Sequence, residues 1–151
     1  EKVFTERRGD CGTQALLFVT LCRAAGIPAR WQSGWVTRPG RGGWNLHDWA
    51  EFYVEPYGWL PADPSLGGRF RDSEDDDLRL FFFGNIDGYR MIANTDYETE
   101  FTPAKQHWRS DPIDNQRGEV EWDGGNLYYD HWDYDVDIEI EHLDAGTGSG
   151  A

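Results

Sequence analysis

Three residues of this chain have the types and the order that nucleophilic cysteine chemistry needs. Cys11 stands in Gly9-Asp10-Cys11-Gly12, His47 in Asn45-Leu46-His47-Asp48-Trp49, and Asp63 in Leu60-Pro61-Ala62-Asp63-Pro64. A thiol attacks a carbonyl as thiolate. An imidazole takes its proton and returns it to the leaving group, and a carboxylate fixes the tautomer and orientation of the imidazole. The gaps of 36 and 16 residues are ones that a helix followed by antiparallel strands bridges. Asp48 is the other carboxylate near His47, but adjacent strand residues face opposite sides, which makes it the weaker partner. The remaining histidines (His107, His131, His142) have no cysteine at ligand spacing, so no metal and no cofactor is expected.

The elements that must position these groups follow from periodicity. Gly9 and Asp10 break and cap a helix at its start, and Gly26 with Pro28 stops it. Cys11, Ala15, Phe18, Val19 and Cys22 fall on one face of that helix. At its N-terminus the thiol of Cys11 feels the partial positive charge of the helix, which favours thiolate. Cys22 lies roughly 16 Å further along the axis, beyond disulfide reach, and reads as a small core residue. A strand is expected over 29–37 and a second over 44–55. In the second, Leu46, Ala50, Phe52 and Val54 face the helix, while His47, Trp49, Glu51 and Tyr53 face away. Pro56-Tyr57-Gly58 turns into a short strand that carries Asp63 beside His47. The glycine-rich stretch 38–43 lacks the lysine and hydroxyl residue of a phosphate loop, and is expected to be a flap or a hairpin connection.

Charge and composition narrow the partners. The net charge of −14 is divided unevenly, +4 over residues 1–47 and −18 over residues 48–151. Nucleic acid and anionic membrane are poor partners for such a chain. No run of eighteen apolar residues exists, so no membrane insertion is expected. Aromatic residues make up 15% of the chain, with eight Trp, more than a small core requires. The chain opens at Glu1 without a methionine, which suggests a piece of a longer protein; an extracytoplasmic location, periplasmic or secreted, is favoured over a cytoplasmic one.

Gly9-Asp10-Cys11-Gly12, Leu21-Cys22-Arg23-Ala24-Ala25-Gly26-Ile27-Pro28-Ala29-Arg30, Ser33-Gly34-Trp35-Val36, His47-Asp48-Trp49-Ala50-Glu51-Phe52-Tyr53 and Gly58-Trp59-Leu60-Pro61-Ala62-Asp63-Pro64 together resemble the transglutaminase-like superfamily, whose fold is related to that of papain-like proteases. The resemblance covers residues 8–66. It implies Cys11 as nucleophile, His47 as general base and acid, and Asp63 as the orienting carboxylate. It further implies attack on a carboxamide through an acyl-thioester that water or an amine resolves. Trp35, Trp49 and Gly12 are the candidate substrate contacts. The family has a small residue after the histidine where this chain has Asp48. It also has a segment upstream of the cysteine that supplies an oxyanion donor in animal members. With ten residues before Cys11 that donor is expected to be absent here, while the backbone N–H of Cys11 can still contribute to an oxyanion hole.

The expected fold is α+β: a papain/transglutaminase-like core, with the cysteine-bearing helix packed on an antiparallel sheet, and a β-rich C-terminal extension. Residues 1–70 are read as the catalytic core, 71–144 as the extension packed on it, and 145–151 as a disordered tail. Within the extension, the acidic run 71–77 reads as a solvated loop and 78–85 as a return to the core. A hairpin is expected with strands at 119–122 and 127–129. The alternation of Trp132, Tyr134, Val136, Ile138 and Ile140 with acids predicts a final strand over 132–141. The function expected is a cysteine enzyme (protease, amidase or acyltransferase) acting on amide bonds of a protein or peptide substrate that could bear an amine. Hydrolysis is expected rather than cross-linking. The rival is a module without catalysis that binds peptide or glycan through a Trp-rich face.

Overall fold

The computed structural model describes residues 2–38, 43–114 and 116–141. A short helix α1 (Lys2–Glu6) leads into α2 (Cys11–Ala24), followed by strands β1 (Ala29–Arg38), β2 (Gly43–Val54) and β3 (Gly58–Ala62). Then come α3 (Pro64–Gly67), a single 3₁₀ turn at Gly68–Phe70, α4 (Asp76–Leu80), β4 (Arg90–Asn94), β5 (Val120–Trp122) and β6 (Gly125–Leu127). Strands β1 to β4 form one antiparallel sheet in the order β3-β2-β1-β4.

Helix α2 begins where its cap says it should. Asp10 Oδ1 accepts the backbone N–H of Thr13 at 2.7 Å and its hydroxyl at 2.6 Å, satisfying a donor that the first turn leaves orphaned. These bonds, the hydroxyl first, hold the Asp10 carboxyl below its ordinary range. At the other end Gly26 takes φ +79°, and the Ile27 N–H returns to Cys22 O at 2.9 Å, a left-handed stop that glycine adopts freely.

The core lies between α2 and one face of the sheet. Val19, Ala29, Ala50, Phe52 and Ala62 are buried together, with Phe18, Cys22, Val54 and Leu60 packed around them. The helix-facing residues of β1 and β2 pair across the sheet as Ala29 with Phe52, Trp31 with Ala50, Ser33 with Asp48 and Trp35 with Leu46. Gly34 with His47, and Gln32 with Trp49, occupy the opposite face. Strand β4 meets β1 across a bulge at Ser33/Gly34. There a Cβ on Gly34 would lie 1.9 Å from Met91 O, so only glycine lets the two backbones meet.

The extension departs from the β-rich expectation. Among the described residues its regular structure is α4, β4 and the small β5–β6 hairpin, which turns on Asp123-Gly124 with Trp122 opposite Gly125, a tighter turn than the four residues anticipated. Much of the remaining backbone is satisfied by carboxylates instead of a ladder. Glu121 accepts the N–H groups of Gln106 and His107, and Glu119 those of Ser110 and Asp111. Residues 132–141 are not a strand. Trp132, Tyr134, Val136, Ile138 and Ile140 are half-buried and the acids between them exposed, so the alternation sets which side faces inward. It does not supply a ladder partner.

The stretch 78–85 returns to the core in part. Phe82 is half-buried, and Phe83 stacks on Phe52 with ring centroids 5.1 Å apart and bridges to Ala62, although Leu78, Leu80, Phe81 and Phe83 all stay exposed. The glycine-rich connection at 39–42 and the tail 145–151 lie outside the described residues.

Candidate active site

Strand β3 stops pairing at Ala62 opposite Ala50, so it leaves the stretch of β2 that carries His47 and Asp48 without a neighbour from that strand. Four segments converge on this open edge: the start of α2, the residues that follow β3, and two pieces of the extension.

Asp63 comes first after β3. Its backbone is held by Phe82, whose carbonyl accepts the Asp63 N–H at 2.9 Å, and its carboxylate is fully buried. Oδ1 accepts the Leu66 N–H at 2.9 Å, and so also caps α3. Oδ2 lies 2.7 Å from His47 Nε2. Arg90 of β4 brings Nη1 to 2.9 Å from the same oxygen, an ion pair whose N–H is not aimed along a hydrogen bond. Burial alone raises the Asp63 pKa, but the His47 hydrogen bond and charge, the Leu66 amide and the Arg90 charge outweigh it and hold the carboxyl below its usual range. Asp63 is therefore ionised, with one oxygen given to His47. The other ring nitrogen, Nδ1, has no hydrogen-bond partner among the described residues.

Cys11 is bonded elsewhere. Its thiol donates to Asp48 Oδ2 at 3.2 Å, and no Cys11–His47 hydrogen bond exists among the described residues. The thiol pKa is pushed up to about 12 by burial first, then by the Asp48 charge and the bond to Asp48. The backbone amides of Asp48 and Gly12 pull the other way and lose. The expectation that the helix N-terminus makes Cys11 a ready thiolate is corrected here. A partial positive charge at the helix start is outweighed by a full negative charge in contact.

Asp48, read from the sequence as facing the core, does face α2, and that is why it meets Cys11. It is 8% exposed, and its other oxygen accepts Gln116 Nε2 at 2.6 Å. The same Gln116 nitrogen donates to the His47 carbonyl at 2.9 Å. It replaces, for this open stretch of β2, the amide of an absent strand neighbour. The Asp48 pKa rises to about 6, through burial first, with Asp114 and Asp10 raising it further and the Cys11 bond and His47 opposing.

The candidate substrate contacts fare unevenly. Trp49 is 1% exposed, with its indole N–H donated to Gln32 and its ring near the Arg90 guanidinium; it is a buried wall of the site, not a ligand surface. Trp35 is half-buried on the helix-facing side of β1, with a buried indole N–H that has no partner. Gly12 packs at the helix start, where a Cβ would stand 3.1 Å from Asp48 Oδ2 and 3.3 Å from Trp31. Arg90 and Gln116 are site residues that sequence reasoning missed. Neither belongs to a motif, and each reaches the site only through the path of the extension. Among the described residues, no cluster of three or more His, Cys, Asp or Glu is placed to hold a metal, and no helix is long and apolar enough to cross a membrane.

Residues 1–64, which contain Cys11, His47 and Asp63, match the transglutaminase-like superfamily. Over 77 residues the chain is 30% identical to the uncharacterized protein YebA of Bacillus subtilis strain 168, an alignment that takes in 43% of this chain and 10% of that protein. The matched part thus spans about a tenth of the length of this curated relative. No solved structure matches the chain.

Proposed function

We propose, from a chain whose residues 1–64 are transglutaminase-like, a cysteine enzyme that cleaves amide bonds of proteins or peptides. Cys11 is the nucleophile, His47 the base and acid, and Asp63 the group that orients the imidazole. The observation that carries this reading is the buried His47–Asp63 pair, 2.7 Å apart. With Nε2 committed to Asp63, Nδ1 is the nitrogen left to take a proton. Arg90 and the Leu66 amide keep Asp63 ionised beneath it. The thiol gives its proton to Nδ1, and Sγ attacks the carboxamide carbon. The C–N bond breaks as His47 returns the proton to the departing ammonia or amine. Water then takes the acyl group from sulfur, with His47 again as base, and the carboxylic acid leaves.

Water is favoured over an amine as the second nucleophile because it is present at about 55 M and the sequence offers no evident apolar tunnel to exclude it and guide an amine. The test incubates the protein with a glutamine-bearing peptide and a primary amine in millimolar excess, with products resolved by mass. Deamidated or cleaved peptide, lost in Cys11→Ala, is the expected outcome. A dominant amine adduct, also lost in Cys11→Ala, replaces hydrolysis by cross-linking. The Cys11–Asp48 bond favours a second reading, a module that binds without catalysis. The surface it would use is the cleft of about 680 Å³ flanked by Phe101, Trp108 and Tyr128. No product of either kind, together with peptide or glycan binding lost in Trp108→Ala, selects that reading.

A further inference from the structure

We propose that Asp48 and Gln116 are positioning residues of the site: Gln116 aims the Asp48 carboxylate at Cys11, and this contact keeps the proton on sulfur until the thiol leaves Asp48 for His47. The proposal deepens the reading above and rests on it for the role of His47. What it says of the Cys11 proton is independent of turnover.

The geometry is specific on both sides of the carboxylate. Oδ2 faces the thiol at 3.2 Å and Oδ1 faces Gln116 Nε2 at 2.6 Å. Gln116 is 5% exposed, and its amide nitrogen also donates to the His47 carbonyl at 2.9 Å. This one NH2 group donates its two hydrogens to acceptors on adjacent residues of β2, so the amide has a single orientation in which both are satisfied. Gly12 completes the approach, since a Cβ there would stand 3.1 Å from Oδ2.

The direction of the effect follows from proton affinities. A thiolate is a much stronger base than a carboxylate, so in the S–H···O bond the proton stays with sulfur. Ionising Cys11 in place would set two negative charges in contact. The other charged groups near Asp48 are Asp10 at the start of α2 and Asp114 of the extension, both acidic, with His47 on the same strand as the opposing partner. Asp48 is thus a restraint on the thiol and not its base. Gln116 lies beyond the family-matched residues 1–64, so the extension takes part in setting the state of the nucleophile.

The experiment follows alkylation of Cys11 by iodoacetamide from pH 6 to 10, with site-resolved mass spectrometry and Cys22 as the internal reference. In the wild type the Cys11 rate is expected still to rise at pH 10. Asp48→Asn keeps the shape and an acceptor for Gln116 but removes the charge. It should move the profile down by at least one pH unit, about tenfold faster labelling at pH 8. Gln116→Ala should move it the same way by less, and add nothing in the Asp48→Asn background because it acts through Asp48. An unchanged or slower Cys11 profile in Asp48→Asn overturns the proposal. So does a wild-type profile that levels off below pH 8.5, a result that depends on no variant folding. A protein that shows these shifts but no amide turnover keeps this proposal and loses the enzymatic reading; turnover without the shifts does the reverse.

Discussion

At Asp48 and Asp63 two buried carboxylates, one next to His47 in sequence and the other hydrogen-bonded to its ring, are driven in opposite directions, and the difference is the groups around them. Asp63 has an imidazole, an amide and a guanidinium; Asp48 has a thiol, one neutral amide and two acidic neighbours. The pH dependence of stability separates them. Asp63, held below its ordinary range, contributes stability that is present above the unfolded carboxyl value and is lost as pH falls through the folded one. Asp48, raised from 3.8 to about 6, does the reverse: the folded state binds its proton more tightly, so stability falls as pH rises from about 4 to 6 and stays reduced above that. Asp48→Asn should therefore be more stable than wild type by about 1–2 kcal/mol at pH 8. That gain should shrink towards pH 4, as read by urea midpoints. Arg90→Met should destabilise by about 3 kcal/mol, because it leaves the buried Asp63 carboxylate short of a charge partner. Denaturant titration at pH 7 checks this, and a loss under 1 kcal/mol would mean that His47 and the Leu66 amide suffice.

The elements were largely legible from local pattern. The cap at Asp10, the stop at Gly26 and the row Ala15, Phe18, Val19, Cys22 together describe α2 as observed, and the parity of Ala50 and Phe52 marks the face of β2 that meets it. That same parity places Asp48, not His47, opposite the helix, a consequence available from the sequence once the helix-facing side was assigned. Gly34 is the element-scale constraint with the sharpest consequence. Gly34→Ala pushes a methyl to 1.9 Å from Met91 O and must part β1 from β4, which carries Arg90 away from Asp63. A loss of at least about 2 kcal/mol, with reduced hydrogen-exchange protection in β4, is expected. Protection unchanged from wild type would show that the bulge absorbs the methyl. Residues 132–141 illustrate the opposite limit. An apolar alternation reports two faces, but pairing needs a partner strand in register, and nothing in the alternation supplies one.

On the scale of the whole molecule, the net charge of −14 opposes compaction through self-repulsion. Raising NaCl from about 0.02 to 0.5 M should raise Tm, since the Debye length shrinks from tens of ångströms to a few; a Tm that falls or stays level would mean that the local ion pairs outweigh the net repulsion. Within that acidic envelope the extension does what residues 1–64 alone do not. Phe82 holds the backbone of Asp63, Arg90 its charge, and Gln116 the carboxylate on the thiol. The order Cys11, His47, Asp63, the helix with its caps, and the strand faces were all written in short stretches of sequence, because each depends on neighbours within a few positions. Which carboxylate the thiol meets, which guanidinium charges Asp63 and where residue 116 closes on residue 48 depend on contacts across 37, 27 and 68 positions. Those are decided by the register of β2 against its neighbours and by the course of a largely irregular extension, and no local periodicity encodes either.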